Sequence, residues 1–103
     1  MEKYGLHGHF KAKEGTREQL IDILIKASQL MQEAAGCLLY AVSVDPQQHS
    51  AVWVTEIWNS KEDHDNSLNL PGVKELIAQA IPLLDGMPQK GQQLEILGGI
   101  GFK

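Results

Sequence analysis

Glu56, Trp58 and His64 lie close together in a segment reading Thr55-Glu56-Ile57-Trp58-Asn59-Ser60-Lys61-Glu62-Asp63-His64. If residues up to 58 are extended, Val54, Glu56 and Trp58 project from one face, while Trp53, Thr55 and Ile57 project from the other. If a helix begins after Ser60, His64 and Ser67 stand one turn apart and both can face back toward the strand, with Leu68 and Asn69 flanking them. A carboxylate, an indole and an imidazole then border one cavity. Histidine is the side chain whose ordinary pKa, about 6.5, lets it take up and return protons near neutrality, so His64 is the candidate general base for an acidic hydroxyl such as a phenol. Tyr40, Glu56, Ser67, Leu68 and Phe10 are the candidate substrate-binding residues around it.

Other chemistry has less support. His7 and His9 share a strand face, yet no carboxylate or cysteine stands at a spacing that would complete a metal site, so no metal is expected. Their face suits an interface better. His49 falls in a polar turn, and Cys37, with no base nearby in sequence, reads as a small buried hydrophobe. There is no glycine-rich phosphate loop, no Ser-His-Asp set and no Cys-x-x-Cys, so nucleotide cofactors and acyl transfer find no support.

The elements that must hold these residues follow from periodicity. Tyr4, Leu6, Gly8, Phe10 and Ala12 alternate with Gly5, His7, His9 and Lys11, which predicts a first strand. Gly15 ends it. Thr16-Arg17-Glu18-Gln19 predicts a capping box, and the stripe Leu20, Ile23, Leu24, Ala27, Leu30, Met31 and Ala34 predicts the first helix, stopped at Gly36. Leu38 to Val44 and Ala51 to Trp58 predict a hairpin about the polar turn Asp45 to Ser50. Ser60 caps a second helical region that Pro71-Gly72 interrupts before Val73, Leu76, Ile77, Ala80 and Ile81 resume the stripe. Gln93 to Leu97 is the last strand. The order β-α-β-β-α-β predicts a ferredoxin-like α+β fold, an antiparallel sheet with its helices on one face. The helix-free face would carry Trp53 and Ile57 into water, so a second copy is expected to cover it.

With 103 residues the chain forms one domain, residues 1 to 103, small enough that a homodimer would help its stability. A net charge of -4 offers no basic stripe for phosphates, which argues against nucleic acid. No apolar run approaches the roughly 20 residues that span a bilayer. The single cysteine and a start without a signal-like apolar run point to the cytoplasm.

The junction, read as aliphatic-x-Glu-x-Trp followed by a Ser cap and an acidic, His-bearing helix, resembles the antibiotic biosynthesis monooxygenase family, and the resemblance extends over nearly the whole chain. It implies ferredoxin-like subunits paired sheet to sheet as a dimeric α+β barrel. It further implies a monooxygenase that uses oxygen and no cofactor on a quinol-like or polyphenolic small molecule. In the family a tryptophan at the place of Trp58 stabilises the substrate and a residue at the place of His64 relays a proton, so Trp58 joins His64 as a catalytic candidate. Val54 stands where such members carry Asn, and Ser67 where many carry His. The heme-degrading branch uses an Asn, a Trp and a His that fall here on Gly8, Ser67 and Ile77, so heme is not expected. Two other readings stay open on the same fold: an isomerase of a small carbonyl compound, and a non-catalytic binding or stress-response module.

Overall fold

The computed structural model describes residues 3–88 and 91–102. Four strands, β1 (Lys3–Lys11), β2 (Cys37–Ser43), β3 (Ala51–Trp58) and β4 (Gln92–Ile96), form one open antiparallel sheet in the order β2-β3-β1-β4. Helix α1 (Arg17–Leu30) connects β1 to β2, and α2 (Lys61–Ser67) and α3 (Val73–Ala80) connect β3 to β4. This is the ferredoxin-like arrangement expected from the element order. Within one chain the sheet does not close into a barrel, because β2 and β4 are both edge strands.

Register fixes which side chains share a face. Tyr4 pairs with Trp58, Leu6 with Glu56, Gly8 with Val54 and Phe10 with Val52, and Tyr40 on β2 pairs with Glu56 from the other side. Residues opposite one another across an antiparallel pair point to the same side, so all of these lie on the helix-covered face. On the other face His7 meets Thr55 and His9 meets Trp53. The His7 Nδ1 is 2.9 Å from the Thr55 hydroxyl, and the Trp53 ring packs between the two imidazoles at 5.2 and 4.6 Å.

The interior holds two apolar clusters. Ala12, Leu20, Leu24, Val52, Val54 and Leu84 make one; Met31, Trp58 and Val73 make the other, and Tyr40 packs against both. The expected break in the second helical region is real: Gly72 adopts φ 91°, a left-handed conformation that costs glycine little, and α3 starts immediately after it.

Two local expectations need correction. Thr16 does not form a capping box. Its backbone sits at φ -109°, ψ -1° rather than extended, and its hydroxyl points to carbonyls instead, 2.7 Å from that of Lys13 and 2.9 Å from that of Leu83. The residue thus ties the start of α1 to the turn after α3. In β2 an irregularity between Cys37 and Leu39 puts Cys37 opposite Trp58 but Leu39 opposite Ile57, so simple alternation breaks there and Leu38 is the extra residue.

Candidate functional site

The site is assembled where β3 ends. Trp58 follows Glu56 on the same face, and this i,i+2 spacing lets its indole Nε1–H donate to Glu56 Oε1 at 2.9 Å. Trp58 is completely buried, packed with Met31 and Val73. Immediately beyond, the Asn59 N–H donates to the Gly36 carbonyl at 2.9 Å, and the Ser60 hydroxyl accepts from the Asp63 N–H at 3.1 Å. That cap turns the chain and launches α2 back over the strand. His64 therefore lies against the residues that precede it: its ring meets Trp58 edge-on at 5.7 Å and Tyr4 at 5.6 Å.

The two imidazole nitrogens have different neighbours. Nδ1 is 2.9 Å from Asp65 Oδ1, and the second Asp65 oxygen accepts from Lys61 Nζ at 2.9 Å. Both contacts hold the Asp65 carboxyl below the ordinary carboxylate range, Lys61 contributing most. An ionised Asp65 assigns the ring proton to Nδ1 and leaves Nε2 as the acceptor. That Nε2 faces Glu56 Oε1 at 3.9 Å. Such a distance is too long for a hydrogen bond, and it leaves an approach for a ligand hydroxyl.

Glu56 is the buried acid of the site. Its side chain is only 14% exposed, and burial raises its carboxyl above the ordinary range, opposed by the Trp58 hydrogen bond and then by His64. Tyr40, its neighbour on β2, is also pushed up by burial and then by the Glu56 charge, so it remains a neutral phenol. Burial likewise raises the Cys37 thiol, which packs beside Trp58 as a small apolar group.

These side chains border a cavity of about 320 Å³ between the sheet and the helices. Phe10, Tyr40 and Glu56 form its floor, Ile23, Leu24 and Ala27 of α1 one wall, and Val73, Leu76 and Ile77 of α3 another. His64, Ser67 and Leu68 close one end. The residues named from sequence as His64, Tyr40, Glu56, Ser67, Leu68 and Phe10 are thus brought together on one cavity, whereas Trp58 lies behind Glu56 and is not part of its lining. The Ser67 hydroxyl is committed to the His64 carbonyl at 2.5 Å. The sequence reading did not identify Asp65 as a partner of His64 or Tyr4 as a packing surface for it. Asp65 does adjoin His64 in the sequence, and its four-residue spacing from Lys61 was a further signal. The α1 and α3 wall residues were visible only as core stripes. Among the described residues no group of three or more His, Cys, Asp or Glu could hold a metal ion.

The sequence profile of antibiotic biosynthesis monooxygenases matches residues 4–79, which include all of β1 but Lys3 and the whole Glu-x-Trp junction. The chain belongs to this family. Family membership places it among monooxygenases at the family level and fits a site for a small molecule. A candidate antibiotic biosynthesis monooxygenase from Chloroflexus aurantiacus J-10-fl is 38% identical, with 98% of this chain and 99% of that one covered and a TM-score of 0.87. Another from Caulobacter crescentus CB15 is 15% identical over 94% of this chain and 92% of that chain, at a TM-score of 0.85. SnoaB, a cofactor-independent oxygenase from Streptomyces nogalater, shares the fold at 8% identity, with 98% and 97% of the two chains covered and a TM-score of 0.75. Curated proteins give no sequence match. Among the described residues of this family member, no helix is long and apolar enough to cross a membrane.

Proposed function

We propose that this protein is a cofactor-independent monooxygenase in which His64 deprotonates a quinol-like or phenolic substrate held in the cavity. The observation that carries the reading is the arrangement of His64 Nε2 facing Glu56 across 3.9 Å at the one polar end of an otherwise apolar chamber. Nε2 takes the proton of a substrate hydroxyl, and Asp65 stabilises the imidazolium that results. The electron-rich phenolate passes one electron to oxygen, and the resulting radical and superoxide combine to form a carbon–oxygen bond. The hydroperoxide then loses water. For a hydroquinone the balance is substrate plus O2 to hydroxyquinone plus water: one oxygen atom enters the ring, the other becomes water, and the substrate supplies all four electrons. An apolar chamber protects the radical pair from solvent. Glu56, biased toward its protonated form by burial, returns a proton to the departing oxygen. Trp58 acts through Glu56 as a positioning residue, since its indole holds that carboxyl and does not reach the cavity.

The working form in this proposal is a homodimer joined through the helix-free sheet faces, with Trp53 and Ile57 at the contact. The exposed Leu94 lies on the same face, opposite Gly5. The free thiol of Cys37 suits a reducing compartment such as the cytoplasm. The test is an oxygen electrode with a hydroquinone panel: uptake of one O2 per substrate consumed supports oxygenation. Proton shuffling on a carbonyl substrate without uptake supports the isomerase reading, and saturable binding without turnover supports a binding module.

A further inference from the structure

Among the described residues, the polar groups of the cavity are confined to one end. Tyr40 and Glu56 are register partners on adjacent strands, and His64 stands 3.9 Å from Glu56. Ser67, the remaining polar lining residue, has its hydroxyl committed to the His64 carbonyl. From Glu56, β3 runs back to Val52, which is fully buried beside Phe10; four residues of strand span about 13 Å. Along that length the cavity is bordered by Leu24, Ala80 and Leu84, together with Phe10, and among the described residues it offers no hydrogen-bonding side chain. At about 320 Å³ it is at the small end of ligand cavities, which run about 300–1,000 Å³. At the rim Ile77 and Ile81 are 43% and 52% exposed, so the apolar surface continues outward.

We infer that the cavity selects a one-headed amphipath, a single phenolic or quinol ring bearing an unsubstituted hydrocarbon tail, rather than a polyphenol with hydroxyls around its whole frame. The inference rests on the reading of this cavity as the substrate site and narrows the class of substrate. The head lies between His64, Glu56 and Tyr40, where three groups can exchange hydrogen bonds with it. The tail lies along β3 toward Phe10 and Ala80. A second hydroxyl in the tail region would lose its water and gain no partner, which weakens binding about tenfold or more. A methylene there moves from water to an apolar wall, which strengthens binding about fourfold when fully buried.

The experiment is calorimetric titration of the dimeric or monomeric protein, as it exists in solution, with 4-ethyl-, 4-butyl-, 4-hexyl- and 4-octylphenol under argon, so that no turnover is required. Affinity should rise at least about thirtyfold from ethyl to hexyl, allowing for incomplete burial of four methylenes. Hexylbenzene, which has no head, and a pentahydroxyflavone should each bind at least about tenfold more weakly than 4-hexylphenol. In Ala80→Leu, which fills the apolar end, the gain from butyl to hexyl should disappear while 4-ethylphenol binds as before. If that variant does not fold, the chain-length series and the two comparators decide alone. Affinity independent of tail length, or tighter binding of the flavone, overturns the inference. Length-dependent binding with no oxygen uptake from any alkylated hydroquinone would leave the inference standing and defeat the proposed oxygenation. Uptake with polyhydroxylated substrates alone would do the reverse.

Discussion

The indole of Trp58 contributes to stability through its hydrogen bond to Glu56 as well as through the packing of its ring, and the two contributions can be separated. Trp58→Phe removes the Nε1–H that lies 2.9 Å from Glu56 Oε1 and part of a fully buried ring. A hydrogen bond to a charged group contributes about 1.5–3 kcal/mol. The lost packing adds only a fraction of the roughly 3–5 kcal/mol that complete truncation of such a ring costs. A thermodynamic cycle with Glu56→Met, which keeps the volume but removes the acceptor, cancels the packing term and isolates the bond. With Glu56 ionised, the coupling should be about 1.5–3 kcal/mol. It should shrink toward about 1 kcal/mol once Glu56 is protonated and the bond becomes a neutral one. Glu56 also sets the sign of the pH dependence. Its folded-state pKa is raised above the ordinary 4.5, so the stability linked to it is fully present below 4.5 and is lost as pH rises through the folded value. Since the Trp58 hydrogen bond is the largest effect lowering that pKa, Trp58→Phe should lose stability with rising pH more steeply than the parent. Urea unfolding followed by far-ultraviolet circular dichroism, at one protein concentration and at pH 4 and 8, provides all four corners of the cycle. A coupling under about 0.5 kcal/mol at pH 8, or one indifferent to pH, would refute the anchoring role.

Further outcomes are expected elsewhere in the molecule. Ile57→Glu, which introduces a charge on the helix-free face, should convert a dimer to monomer in sedimentation at micromolar concentration; a parent that is already monomeric would remove the proposed assembly. Asp65→Asn should shift the His64 tautomer away from Nδ1–H, seen in the nitrogen shifts of the imidazole by NMR, and unchanged shifts would show that Asp65 does not orient the ring. Titration with heme should produce no saturable Soret shift at micromolar concentration, because the positions that would hold heme in the related branch are Gly8, Ser67 and Ile77.

Much of the architecture was legible because the sheet obeys alternation. The period-2 pattern of β1 and β3 placed Glu56 and Trp58 together and put Trp53 and the two N-terminal histidines on the opposite face, and the register agrees. Ser60 and Pro71-Gly72 marked helix boundaries through local chemistry that needs no tertiary context. Other features depend on it. Thr16 had the right neighbours for a capping box, but the carbonyls of Lys13 and Leu83 take its hydroxyl, and residue 83 is distant in sequence. The extra residue in β2 interrupts an otherwise ordinary apolar run, which gives composition nothing to detect. The site shows the same division. Alternation placed Glu56 and Trp58 on one face, yet it could not tell whether Trp58 borders the cavity or lies beneath it, because that depends on how α2 and Met31 close over the end of the strand. The cavity itself exists because α1 and α3 leave space between two separate core clusters, a distance that no periodicity encodes.

The most direct test of the account is the oxygen-uptake rate of His64→Ala against the parent on the same hydroquinone, after circular dichroism and sedimentation confirm that the variant keeps its fold and assembly. The variant's kcat/KM should fall at least about a hundredfold, the scale for removing a positioned general base. Trp58→Phe should lose less. A folded His64→Ala that retains full turnover would contradict the assignment of His64 as the base.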